Sequence, residues 1–218
     1  MTDRLLIVPV GSWEQHGPHL PFDTDTRIAS ELSRRLCEAA ATWPEFEPTL
    51  GPALTVAASG EHAGFVGTLS IGTDVTTAVI VELMRSATWA ARVVFVNGHG
   101  GNHDAITQAA EVARREGRRV LFWSPPGDDE RDTHAGRIET SVMMSIAPDA
   151  VRYDRLEVGN DEPISVLLPR LRRDGVAAVS PNGILGDPRR ADAGAGEELL
   201  DRWMTDLVRT VDTWCKTS

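Results

Sequence analysis

The stretch RLLIVPVGSWEQHGPHLPFDTD, residues 4–25, decides how this chain is read. Its first part, Arg4 to Val10, is a short apolar run of the kind that forms a strand buried on both faces. At its far end, Thr24 and Asp25 stand where a side-chain oxygen caps a helix. Ile28, Leu32, Leu36 and Cys37 then recur on one helical face to about Ala40. Between strand and helix runs a loop punctuated by glycine and proline, carrying Glu14, His16 and, at its end, Asp25. These are hard oxygen and nitrogen donors on a constrained loop, the donor set a divalent metal needs. Glu14 and His16 alternate along an extended segment, so both can face one side. Asp25 can cap the helix with one oxygen and reach a metal with the other. A strand-end loop feeding a helix is where open α/β sheets keep their chemistry.

The alternation continues down the chain. Residues 49–57 read as a strand, 74–91 as a helix capped by Asp74 or Thr73, and Arg92 to Val96 as a strand running into NGHGGN, residues 97–102. A helix from His103 to Arg115 and a strand over 118–123 follow. Strands alternating with helices of this length predict an α/β fold with a mainly parallel sheet. Loops after the strand C-termini then share one edge, so the Glu14 loop and the His99 loop are expected to converge. The second half predicts an acidic loop at 124–133, a helix from His134 to Ala147, a polar loop at 152–163, a helical stretch at 164–173, a strand at 175–180 and a last helix at 193–215. The 218 residues are expected to form one domain, 1–218.

Composition narrows the partners. A net charge of −10 with no long basic run disfavours nucleic acid and anionic membrane alike. No run approaches the roughly 18 apolar residues of a membrane span. The N-terminus lacks a signal pattern, so a cytoplasmic protein is expected. Cys37 and Cys215 lie far apart and suggest neither a disulfide framework nor a thiolate metal site. Exposed tryptophans such as Trp89 or Trp203 would suit an interface between subunits.

Three more groups of residues carry chemistry. In NGHGGN, glycines flank His99 and let the backbone approach a ligand closely, while Asn97 can satisfy backbone groups of the turn. In SGEHAGFVGTL, residues 59–69, Glu61 and His62 are adjacent; in extended chain they face opposite ways, so at most one should reach the site. In DTHAGRIET, residues 132–140, His134 suits general acid–base work because imidazole titrates near neutrality. With the helix starting near His134, Glu139 would lie about 140° round the axis.

These motifs resemble the creatininase family of metal-dependent amidohydrolases. The likeness rests on PVGSWEQHGPHLP (9–21) with Asp25, EHAGFVGT (61–68), VNGHGGN (96–102), HAGRIETS (134–141) and NGILGDP (182–188), which span nearly the whole chain. It implies a three-layer sandwich, a mainly parallel sheet flanked by helices, and closed homo-oligomers such as hexamers or octamers. It implies two divalent metal ions per subunit, which carboxylate and imidazole would hold as Zn, Fe(II) or Mn. By motif, Glu14, Asp25 and His99 would hold one ion, with His16 and the bridging Asp25 on the second. The family prototype has a metal-binding glutamate where this chain has Gly101, so Glu139 is expected to supply that carboxylate. His134 would be the catalytic proton donor. Glu61, His62, His19, Asn97, Gly100 and Gly101 would bind substrate or support the ligands. The missing glutamate argues against creatinine as substrate. GEHAGF (60–65) and AVSPNGILGDP (178–188) resemble the branch of the family that trims a ribosomally made precursor peptide, for which Arg137, Arg189 or Arg190 would receive the peptide carboxylate. A hydrolase of a small cyclic amide or formamide, and a non-catalytic metal-stabilised binding subunit, are the competing readings.

Overall fold

Four strands form one parallel sheet in the order β2-β1-β3-β4: β1 (Asp3–Val10), β2 (Phe46–Leu50), β3 (Arg92–Asn97) and β4 (Val120–Trp123). The computed structural model describes residues 2–217. Side chains alternate across the two central strands, as a pleated strand requires. Leu5, Ile7, Val94 and Val96 enter one core with helices α1 (Thr24–Ala40), α4 (Arg137–Ile146) and α6 (Ala193–Lys216). Leu6, Val8, Val10, Val93 and Phe95 enter the other with α2 (Gly72–Ser86) and α3 (His103–Arg115). The result is the expected three-layer sandwich, helices on both faces of a parallel sheet. Helix α5 (Ile164–Asp174) lies apart, packing Leu167 and Leu171 on Val176, Val179 and Leu185. Among the described residues no helix is long and apolar enough to cross a membrane.

Several boundaries differ from the sequence reading, each for a physical reason. The second strand is 46–50, not 49–57, because Gly51-Pro52 carries the chain off the sheet and leaves a single bridge, Val10 to Leu54. Pro48 is tolerated because β2 is an edge strand. The apolar run at 175–180 is no strand: Gly175 turns with φ +76°, and Val176–Ala178 is a 3-10 turn burying Val176 against α5. Helix α2 stops at Ser86, short of 91. The α4 helix starts at Arg137 rather than His134, because Ala135 takes φ 51° and Gly136 is extended. Asp25 lies in the first turn of α1 and caps nothing; the cap position is Asp23, without a side-chain bond. Trp203 is buried in the α1–α4–α6 core, so of the two tryptophans only Trp89 is exposed. Cys37 and Cys215 are both free.

Candidate functional site

The register of β1 on β3 pairs Val10 with Asn97, so the Glu14 and His99 loops leave the sheet side by side. The Gly98 N–H donates to the Val10 carbonyl at 2.8 Å. Only glycine fits at 98, since a Cβ there would meet the Asp25 carbonyl oxygen at 2.5 Å. That close approach seats the first turn of α1 on the β3 loop and delivers Asp25 between two imidazoles. Asp25 Oδ1 lies 3.1 Å from His16 Nε2, and Oδ2 lies 3.1 Å from His99 Nδ1. Ser12 Oγ–H holds the same Oδ2 at 2.6 Å. Asn97 and Asn102 brace the loop: Asn97 accepts from the His99 N–H, and Asn102 accepts from the Ala58 N–H and donates to the Gly11 carbonyl.

His16 donates from Nδ1 to the Glu14 carbonyl at 3.0 Å, which turns Nε2 toward Asp25 and, at 3.9 Å, toward Glu139 Oε2. An imidazole fixed at one nitrogen by a backbone carbonyl, with the other nitrogen among carboxylates, is poised as a metal ligand. Glu14 is fully buried. His99 Nε2 stands 3.1 Å from Oε2 and His62 Nε2 3.2 Å from Oε1, yet neither carboxylate oxygen accepts a hydrogen bond. A buried carboxylate without donors is strongly unfavourable unless a cation neutralises it. Ligands about 2.0–2.2 Å from one ion sit about 3.0–3.5 Å apart, the spacing seen here. The residues therefore fit a divalent metal centre.

The proton chemistry agrees. Burial pushes the Glu14 carboxyl up to about 7 against the pull of His99. Burial likewise raises Glu139 to about 7. Burial works to lower His16, but the Asp25 charge and hydrogen bond outweigh it and hold the imidazole up at about 9. Burial opposes the Asp25 charge too, yet His16 and His99 keep that carboxyl well below its ordinary value. Without a cation, protons fill the role one would take.

His134 arrives from the turn before α4 and Glu139 from the first turn of that helix. The left-handed backbone at Ala135, the only non-glycine residue with positive φ among those described, aims its N–H at Glu139 Oε2, 2.6 Å away. Such backbone is strained and persists where the surroundings demand it. His134 donates from Nε2 to the Gln15 carbonyl at 2.9 Å, leaving the Nδ1 lone pair 3.8 Å from Glu14 Oε1. Burial, with the His16 and His62 rings nearby, keeps His134 well below the usual histidine range, so it is neutral.

Glu61 and His62 both reach the centre, contrary to the expectation that only one would. Gly60–His62 is a 3-10 turn rather than extended chain, and its tighter winding carries both side chains inward. Glu61 Oε1 lies 3.4 Å from His99 Nε2. His62 accepts at Nδ1 from Gln15 Nε2 at 2.9 Å, which fixes the ring beside Glu14. Gln15, missed in the sequence, also donates to the Gly183 carbonyl and so ties three loops together. Its only signal was its place between Glu14 and His16. His19 stays behind the centre, hydrogen-bonded to Thr140 Oγ1 on α4 at 2.9 Å. Gly100, Gly101, His99, Glu139 and His134 line a cavity of about 800 Å³ that α5 walls on the far side. Arg137, Arg189 and Arg190 do not line it, and Arg189 is held by Asp187 at 2.8 Å. The arginines on the cavity wall are Arg172 and Arg173, at the end of α5, with Arg173 paired to Asp174 at 2.8 Å.

The family model described as "Creatininase: Creatinine amidohydrolase" matches residues 1–211. The mycofactocin precursor peptide peptidase of Mycobacterium tuberculosis H37Rv is 48% identical over 218 residues, covering 98% of this chain and 86% of that protein. The protein of the same name from Mycolicibacterium smegmatis is 46% identical over 211 residues, covering 96% and 85%. A solved structure described as a putative creatinine amidohydrolase from Bacteroides fragilis superposes with a TM-score of 0.83 at 20% identity, covering 100% of this chain and 92% of the other.

Proposed function

The chain belongs to the creatininase family, and on that premise we propose that it is a metal-dependent peptidase of mycofactocin biosynthesis that releases a C-terminal Val-Tyr dipeptide from a modified precursor peptide. It is a hydrolase of amide C–N bonds, like the relatives that share its motifs. The observation that carries the reading is Glu14, buried with both oxygens free of hydrogen bonds, facing His99 and His134 at the wall of an open cavity.

Glu14, Asp25 and His99 would hold one divalent ion, with His16, Asp25 and Glu139 holding a second. Such ions supply polarisation of the scissile carbonyl and a lowered pKa for a water. His134 would take a proton at Nδ1, its free lone pair, from the attacking water as the oxygen adds to the amide carbon. The same nitrogen then returns the proton to the leaving amine as the C–N bond breaks. Because His134 starts neutral, it acts as a base before it acts as the proton donor expected from sequence. The Gly100 and Gly101 N–H groups, on the cavity wall, are suited to the developing oxyanion.

A cavity of about 800 Å³ suits a peptide end better than a small cyclic amide, which would leave most of it filled with water. Leu168 and Leu171 give α5 an apolar wall for the side chains of the released dipeptide, and Arg172 stands beside them for its carboxylate. We expect a cytoplasmic homo-oligomer of six or eight subunits. Metal-loaded enzyme incubated with the mature precursor peptide should yield, by mass spectrometry, a product shortened by Val and Tyr. A peptide intact after long incubation would reject that substrate and leave the family-level amidohydrolase. Arg172→Ala should raise KM for the peptide by about 10–100-fold with kcat nearly unchanged, as loss of a charge-assisted contact to the carboxylate predicts. A KM that stays at the wild-type value places the carboxylate elsewhere.

A further inference from the structure

Around one nitrogen of this site there are more acceptors than hydrogens. His99 Nε2 is surrounded by three oxygens: the Ala58 carbonyl at 3.0 Å, Glu14 Oε2 at 3.1 Å and Glu61 Oε1 at 3.4 Å. The nitrogen carries at most one hydrogen, which can satisfy one of the three. Glu14 Oε2 is fully buried and without a hydrogen bond, so the shortfall is real. Glu14, Glu61 and His99 each offer a donor atom to a common point, all three within 4.8 Å of one another. What admits Glu61 is the missing side chain at Gly101. A Cβ built there would fall 2.0 Å from Glu61 Oε1 and 2.4 Å from His99 Nε2. Gly101 shows no left-handed backbone that would otherwise call for glycine. The Ala58 carbonyl oxygen would lie 2.7 Å from that Cβ, so the glycine is explained by the Glu61 carboxylate, the His99 ring and the Ala58 backbone together, which share the space a side chain would fill.

We propose that Glu61 is itself a metal ligand, completing the ion site at the Glu14–His99 end, and that Gly101 is the vacancy that lets it enter. This rests on the metal-centre reading above. Glu139 then serves the other end with Asp25 and with His16, 3.9 Å away, so each ion has its own terminal carboxylate. Position 101 needs no ligand, because two residues from elsewhere in the chain supply the negative charge.

The test is metal binding, read without turnover. Metal-free wild type and Glu61→Gln are titrated with Zn(II) calorimetrically, and their Co(II) forms are compared by visible absorption, which responds to the ligand set. Glu61→Gln should bind one ion about 100-fold more weakly and leave the other at its wild-type affinity, with a changed Co(II) spectrum. Two sites of unaltered affinity and an unaltered spectrum would overturn the proposal. So would weaker binding with an unaltered spectrum, because that marks a residue that only positions His99. If Glu61→Gln does not fold, Glu61→Asp replaces it: the shorter carboxylate should shift the spectrum, and no shift rejects ligation. Glu14→Gln run in parallel separates this proposal from its premise. If that variant keeps both ions, the metal centre itself is wrong, whereas loss in Glu14→Gln beside intact binding in Glu61→Gln removes Glu61 alone.

Discussion

Glu14→Gln is expected to lose at least one metal ion per chain and to lower kcat by about 10³–10⁵-fold, since several kcal/mol of activation depend on that charge. The substitution keeps the side-chain volume and removes only the charge. Its effect on the metal-free protein should have the opposite sign. In the folded apoprotein the Glu14 carboxyl is raised to about 7 by burial. A carboxyl raised on folding contributes stability that is full below its unfolded value and is lost as pH rises through the folded one. His16, held up at about 9 by Asp25 against burial, and Glu139, raised to about 7 by burial, act in the same direction. His62, lowered to about 3, and His19, lowered to about 4, both by burial, stay neutral above their unfolded values and add no slope there. The Glu14 contribution is therefore lost between about pH 4.5 and 7, and that of His16 between about pH 6.5 and 9. Metal-free wild type should lose stability between about pH 7 and 9 through His16, while the difference between wild type and Glu14→Gln should change between about pH 4.5 and 7 and be flat above. Added Zn(II) should raise the melting temperature of wild type strongly and of the variant little. Thermal unfolding with and without chelator measures both. A variant that gains as much from metal as wild type does would refute the role of Glu14.

What the sequence could disclose here depended on how local each feature is. The half-site of Glu14, His16 and Asp25 was legible because its donors lie on one loop, and strand-end geometry then brought in His99. The sequence pattern offers Asp25 as a cap because cap and first-turn positions differ by two residues, while its partners in the structure, Ser12, His16 and His99, are fixed only by the fold. Glu139 comes within 3.9 Å of His16 for a reason the sequence does not carry. Measured from a helix beginning at His134 it points off at an angle, but the turn at Ala135 and Gly136 re-aims it. Extended backbone at residues 60–62 would let at most one of Glu61 and His62 reach the site, but the segment winds as a 3-10 turn and both do. The arginines chosen from sequence lay near motifs in the chain rather than near the cavity. Arg172 becomes visible only when α5 is packed across the opening. The strand predicted at 175–180 failed because a short apolar run has the same pattern whether it joins a sheet or folds under a helix.

His134→Gln separates proton transfer from metal binding. Glutamine keeps an N–H to offer the Gln15 carbonyl but has no nitrogen lone pair to take a proton. The variant should keep its full metal content and fall by about 10²–10⁴-fold in kcat, the usual worth of a positioned acid–base group. The pH profile adds a second check. Burial and the neighbouring imidazoles keep His134 well below the ordinary histidine range, and a cation in the centre would press in the same direction. The basic form of His134 is thus present throughout the neutral range, and its protonation cannot cause a fall in rate between pH 8 and 6. Protons returning to Glu14 and Glu139, both raised to about 7 by burial, can cause it by displacing metal. The acid limb of kcat/KM should then move to lower pH as metal concentration rises, and the residual activity of His134→Gln should show the same limb. An acid limb that ignores metal concentration in wild type and vanishes in His134→Gln would instead assign it to His134 itself. That outcome would require the imidazole to titrate near neutrality despite its burial between His16 and His62.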